Sequence, residues 1–171
     1  MYHEAYDIEK NGAVNCVTMI DCFIFERHGP NLLHYIKWTE RNIKLTTDII
    51  KGLSFLHDIC QIIHTDIKPE NIVFVSSEIN SNIKIIDFNN ACTYENESNH
   101  LIQTRQYRAP EVITNKKWNE KVDIWSVACM FYEMIEGYFL FCPIGNSSDE
   151  KIKNHMYIIQ MNLQKKCVIM T

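Results

Sequence analysis

Ile63-His64-Thr65-Asp66-Ile67-Lys68-Pro69-Glu70-Asn71, followed by Ile83-Lys84-Ile85-Ile86-Asp87-Phe88, is the stretch on which the reading of this chain turns. Its polar residues form an ordered set. Transfer of a phosphoryl group needs a carboxylate that orients the attacking hydroxyl and accepts its proton, and an amide oxygen and second carboxylate that hold magnesium on the phosphates. Asp66, Asn71 and Asp87 supply those groups in that order, Asp87 at the end of an apolar, strand-like run. Lys68, two residues past Asp66, can neutralise the phosphate as it moves. The pattern H-x-D-x-K-P-x-N within one loop is far more specific than an isolated glycine-rich motif.

The rest of the composition sets bounds. With 171 residues, 46% of them hydrophobic, the chain suits one globular domain with a substantial core. A net charge of −4 argues against direct nucleic-acid binding, which calls for a basic face, and is compatible with basic peptide partners. The seven cysteines contain no C-x-x-C pair and no regular spacing, so reduced thiols in a cytoplasmic or nuclear compartment are expected. The N-terminus lacks a basic and apolar leader pattern, and no run is long enough to span a bilayer.

Outward from the quoted stretch, residues 1–15 read as a polar, frayed helix and 16–25 as one or two strands. Asn31 can cap a short helix carrying Leu32, Leu33, Tyr35 and Ile36. Leu45, Ile49, Leu53 and Leu56 recur at helical spacing and predict a helix over 42–60 that delivers its C-terminal end to the Asp66 loop. Residues 72–75 and 83–86 predict two short strands, and 87–111 a long polar connection without periodicity, of the kind that usually carries function. Asn119 is the expected cap of a helix reaching Glu136, with Gly137 behind it. That helix is apolar nearly all round and is expected to be buried on every face, which makes Asp123 in its first turn anomalous unless its carboxylate is hydrogen-bonded. A last helix is expected over 149–163. Ser147-Ser148-Asp149-Glu150 reads as its solvated, charged start.

Several further runs now carry a family resemblance: Thr65 within the loop, Asn90-Ala91-Cys92, Ile102-Gln103-Thr104-Arg105-Gln106-Tyr107-Arg108, and Asp123-Ile124-Trp125-Ser126-Val127-Ala128-Cys129-Met130. From about residue 23 to 163 the chain resembles the C-terminal lobe of a eukaryotic serine/threonine protein kinase of the CMGC group. The Gln103–Arg108 run and Ala128-Cys129-Met130 resemble the SR-protein-specific kinases most; the LAMMER-type kinases share Thr65 and are the nearest rival.

The resemblance implies an α+β, protein-kinase-like fold. It implies a remnant of the N-lobe and hinge in 1–27, and a mainly helical C-lobe in 28–171 that is incomplete at its C-terminal end. It implies ATP and Mg²⁺ as cofactors, with Glu26 at the nucleotide-contacting hinge. Thr104 is expected to bond Asp66 and Lys68, and Arg108 to shape the pocket for the residue after the phosphoacceptor. Asp123 is expected to accept hydrogen bonds from the Asp66-loop backbone, and His64 and Phe88 to stack within an internal spine. The implied partner is a protein bearing serine or threonine, of the Arg-Ser-repeat kind, in control of mRNA splicing. The Ser147–Glu150 cluster does not identify such a substrate.

Three departures qualify this. Asp87-Phe88 is followed by Asn89 where the family has Gly; Asn tolerates φ > 0, so the turn can survive. The five glycines form no G-x-G-x-x-G loop, and no Val-Ala-x-Lys strand precedes the hinge. The arginine that ordinarily pairs with Glu111 lies in a later helix, so Glu111 is expected to be unpaired. A catalytically inactive, pseudokinase-like binding module is therefore the alternative to an active enzyme.

Overall fold

The computed structural model describes residues 28–35, 42–76, 82–95 and 101–169. The expected helix and strands of 1–25, the Glu26 hinge position and the 1–27 remnant lie outside the described residues. The described part is α+β and rich in helix, as the resemblance implies.

Helix α1 spans Asn42–Ser54 and continues as a π-helical turn, Phe55–Ile59. Ile49 and Leu53 are fully buried, with Leu45 and Leu56 packed beside them, so the expected stripe does face the core. The wider turn closes through Cys60 N–H to Phe55 O at 3.1 Å. Gln61, at φ 56°, then turns the chain sharply. Its amide donates back to His57 O (2.9 Å) and Asp58 O (3.1 Å), satisfying carbonyls that a helix end leaves open.

Four short strands flank the loop that follows: β1 (Ile62–Ile63), β2 (Ile72–Phe74), β3 (Ile83–Ile85) and β4 (Cys92–Thr93). They pair antiparallel as β1 with β4 and β2 with β3. The β2–β3 hairpin was legible in the sequence. β4 was not, because a two-residue strand gives no alternation to read within 87–111. Gly29 packs on β2: its N–H donates to Phe74 O at 2.8 Å, and a Cβ there would lie 2.2 Å from Ser76 O. No side chain fits at that approach. Near it, the expected short helix is a single 3₁₀ turn, Leu32–Tyr35.

Helix α2 (Pro110–Ile113) leads to α3 (Lys121–Glu136) and α4 (Ser148–Ile169). Asn119 Oδ1 accepts Lys121 N–H at 3.1 Å, and Gly137, at φ 78°, closes α3 by donating to Glu133 O at 2.8 Å. Helix α3 is not buried on every face, contrary to its composition: Val122, Val127, Met130 and Met134 are inside, while Ile124 and Ile135 stay about two-fifths exposed. α4 is longer than expected. Its start is a capping box, in which Ser147 Oγ accepts Glu150 N–H (3.2 Å) and Glu150 Oε2 accepts Asn146 N–H (2.7 Å). The Glu150 carboxylate thus serves the helix's own backbone. One core of Leu32, Ile49, Leu53, Ile67, Ile72, Phe74, Met130 and Ile159 unites these elements, and it sets the Asp66 loop between β1 and β2.

Candidate active site

Ile63 enters the loop from β1, and Pro69–Asn71 forms a 3₁₀ turn that leads into β2. Apolar anchors at both ends hold the polar residues between them. Asp66 Oδ1 accepts the Thr104 hydroxyl at 2.7 Å and the Thr104 N–H at 3.1 Å. Asp66 Oδ2 meets Lys68 Nζ at 2.6 Å, and the same ammonium donates to Thr104 Oγ1 at 3.2 Å. Asp66, Lys68 and Thr104 therefore close a triangle across the cleft. Burial pushes the Asp66 carboxyl up, but bonds from Lys68 and Thr104 outweigh burial and hold it below the usual carboxylate range. Asp66 is ionised at neutral pH and can receive a hydroxyl proton.

Asn71 donates its amide to Asp66 O at 2.9 Å and, more weakly, to Oδ2 at 3.4 Å. With its nitrogen so engaged, its oxygen is the atom left to bind a cation. Asp87 is exposed at the end of the β3 segment, and its carboxylate accepts Asn89 N–H at 3.4 Å. An amide oxygen and an exposed carboxylate are hard donors of the kind Mg²⁺ takes, so the residues present fit that ion; they supply two positions and leave the others to phosphate oxygens and water. The positive φ of this turn is at Asp87 itself (66°), whereas Asn89 does not have positive φ. Asn89 is therefore not accommodated by tolerating φ > 0, contrary to expectation: that turn asks no left-handed backbone of residue 89.

The buried-carboxylate anomaly has a direct resolution. Asp123, with no exposed surface, accepts His64 N–H and the His57 ring on Oδ2 and Thr65 N–H on Oδ1, each at 2.8 Å. His64 Nε2 lies 3.0 Å from Ile86 O and its Nδ1 accepts Asp66 N–H at 3.3 Å, which assigns the ring proton to Nε2. Its ring meets Phe88 edge-on, 5.0 Å between centroids. Both nitrogens are used in holding the loop to the Asp87 segment. Thr65, at φ 65°, donates its hydroxyl to Asn90 O at 2.7 Å.

Arg108 is half-buried and grips the loop ahead of it: Nε donates to Ile102 O (2.9 Å) and Nη2 to Gln103 O (2.7 Å). Burial, and then Arg105, lower its pKa. Glu111 makes no ion pair among the described residues. A cleft of about 350 Å³ opens between Asp66, Asn90, Cys92, Ile102 and Thr104, room for an incoming side chain.

Three contributors escaped the sequence reading. His57 is buried in the π-helical turn, where its ring reaches Asp123 Oδ2. Gln103, buried at φ 64°, donates to Val122 O and Ser126 Oγ (both 2.8 Å) and accepts Ala109 N–H (2.9 Å). Glu133 is buried and accepts the Tyr107 hydroxyl at 2.5 Å. Burial raises its pKa, Tyr107 opposes the rise and Glu70 adds to it. The signal available for Glu133 was a carboxylate on the inner face of an apolar helix, the anomaly already noted for Asp123.

Comparison with known proteins places this geometry. Residues 22–169 match the family model described as Protein kinase domain. The chain belongs to the protein kinase family. It is 30% identical to a serine/threonine-protein kinase SRPK of Physarum polycephalum, over 81% of this chain and 46% of that protein. It is 33% identical to serine/threonine-protein kinase AFC1 of Arabidopsis thaliana (70% and 32% covered) and to dual specificity protein kinase CLK1 of Homo sapiens (82% and 35%). A solved kinase-domain crystal structure superposes with TM-score 0.64 at 33% identity, covering 71% of this chain and 44% of that one. The chain thus spans less than half the length of each of these relatives. Kinases of the SRPK and CLK kinds stand side by side among them, which bears out the CMGC resemblance.

Proposed function

We propose that this kinase-family chain carries the phosphoacceptor side of an ATP- and Mg²⁺-dependent serine/threonine protein kinase. The Asp66–Lys68–Thr104 triangle is the observation that carries the reading. Asp66 accepts the proton of the substrate hydroxyl, which the cleft beside Asn90 and Thr104 admits. Thr104 holds Asp66 in position. Lys68, held beside Asp66, would neutralise negative charge as it develops on the transferred phosphoryl group. Asn71 and Asp87 would hold magnesium, which would neutralise phosphate charge when bound. His64, Phe88, Arg108, Glu111 and Asp123 are structural, and Glu26 contacts the nucleotide.

The substrate class follows by family likeness: protein serine or threonine, in Arg-Ser-rich segments connected with mRNA processing, in the cytoplasm or nucleus. Among the described residues no helix is long and apolar enough to cross a membrane. The alternative is a binding module without catalysis. Transfer of labelled γ-phosphate to an Arg-Ser-repeat peptide with Mg²⁺, lost in Asp66→Ala, is the expected result. Transfer that persists in Asp66→Ala overturns the assignment of the base, and no transfer in either protein supports the binding module.

A further inference from the structure

Tyr94, one residue past β4, is half-buried. It packs against the buried cluster of Ile63, Val112 and Val122, which Trp118 and Trp125 also flank. Its hydroxyl donates to His57 O at 3.2 Å, sharing that carbonyl with the Gln61 amide. The other end of the same residue, the His57 ring, reaches Asp123, which holds the backbone of His64 and Thr65. One histidine therefore joins the segment carrying Tyr94 to the loop carrying Asp66. The ladder beside it is slight, only Ile62 with Thr93 and Ile63 with Cys92, and a two-residue pair is not stable alone.

The surroundings of the hydroxyl are one-signed. After burial, the groups that favour its protonated form are the carboxylates of Glu120, Asp58 and Asp123. An anion on Oη would face all three, and would replace a donor by an acceptor against a carbonyl.

We propose that the Tyr94 hydroxyl latches the β4 segment to the catalytic loop, and that Tyr94 is a tyrosine-phosphorylation site whose phosphoryl group releases the latch. In the modification, a tyrosine-directed kinase passes the γ-phosphoryl of ATP to Oη. The new O–P bond forms as the β–γ bridging P–O bond breaks, ADP leaves, and the phenolic proton passes to that kinase's base. The sign is opposite to phosphate-ordered loops: charge here disorders. As a regulatory device the latch rests on the kinase reading above, but its test does not.

The test is amide hydrogen exchange on the whole chain, comparing wild type, Tyr94→Phe and Tyr94→Glu. Losing one hydrogen bond predicts roughly three- to tenfold faster exchange over 60–66 and 90–95 in Tyr94→Phe, which keeps the ring and its packing. Tyr94→Glu should exceed tenfold and shift tryptophan emission to the red, with 121–136 unchanged in both. Wild-type exchange in both variants overturns the latch; so does equal loosening of 121–136, which marks a general packing residue. In parallel, the wild-type chain is incubated with a broad-specificity tyrosine kinase and ATP and mapped by mass spectrometry. Modification at Tyr94 is expected, and its absence while exposed Tyr138 and Tyr157 are modified overturns the site. None of these readouts uses phosphate transfer by this chain.

Discussion

Asp123 accepts the backbone N–H of Thr65 at 2.8 Å from a position 58 residues further along the chain. With His64 N–H and the His57 ring on the other oxygen, one carboxylate fixes the loop against α3. Truncation leaves three buried donors unsatisfied, so Asp123→Ala should cost about 3–5 kcal/mol. Asp123→Asn keeps one acceptor oxygen and should cost less, about 1–3 kcal/mol. Urea unfolding of the three proteins checks the order; equal loss in both variants would mean that the charge, not the acceptor count, matters.

Thr104 should control Asp66 through its hydroxyl. Thr104→Val keeps the shape and removes the 2.7 Å bond, so the Asp66 carboxyl should titrate higher than in wild type; Thr104→Ser should restore it. Carboxyl carbon NMR reads this without any activity. In a transfer assay the Val variant should lose about ten- to a hundredfold in kcat, in the range expected when acid–base positioning fails.

How far the sequence reached differs by element. The α1 stripe and the β2–β3 hairpin were legible because each buries a face with a fixed period. So was Gly137, since a left-handed residue closing a helix favours glycine. The exposure of Ile124 and Ile135 was not, because composition says how apolar a helix is and not what lies against each side. Gln103 and His57 were illegible for a related reason: their partners, Val122, Ser126 and Asp123, come from α3, far along the chain. Asp123 announced itself because a carboxylate in an apolar helix has few physical solutions.

The Asp87 turn predicts an outcome for magnesium. Because the left-handed φ is at Asp87 and not at Asn89, Asn89→Gly should leave Mg²⁺–nucleotide affinity within about twofold. Asp87→Ala and Asn71→Ala should each weaken it by at least tenfold, since each removes a hard oxygen donor. Calorimetric titration decides it, and a large gain in Asn89→Gly would show that residue 89 disables the site.

Asp66 and Glu133 should pull stability in opposite directions with pH. The Asp66 pKa is lowered in the fold, so its contribution is present above the unfolded value of about 3.9 and is lost as pH falls below that through the folded value. Asp66→Asn should therefore flatten the acid limb of a stability–pH curve. The Glu133 pKa is raised, mainly by burial, so its protonated form favours the fold and stability is lost as pH rises from about 4.3 upward. Glu133→Gln, which still offers Tyr107 an acceptor oxygen, should be as stable as wild type or more so at pH 7 to 8. Urea midpoints across pH read both, and a Gln variant weaker than wild type at pH 8 would mean that the ionised pair with Tyr107 outweighs its burial.

Thr65 predicts how the loop is held. A β-branched residue at φ 65° carries strain of order 1–3 kcal/mol, retained here alongside its hydroxyl bond to Asn90 O at 2.7 Å. That bond ties the Asp66 loop to the segment after Asp87 without any phosphate, at a position that offers a phosphorylated loop no cation. Phosphatase treatment should therefore leave transfer within about twofold, whereas Thr65→Val, which keeps the strain and loses the bond, should destabilise by about 1–3 kcal/mol. Thr65→Gly, which relieves the strain and also loses the bond, should fall between Val and wild type. Unfolding midpoints order the variants, and abolition of transfer by phosphatase would sink the phosphate-free tie whatever that order.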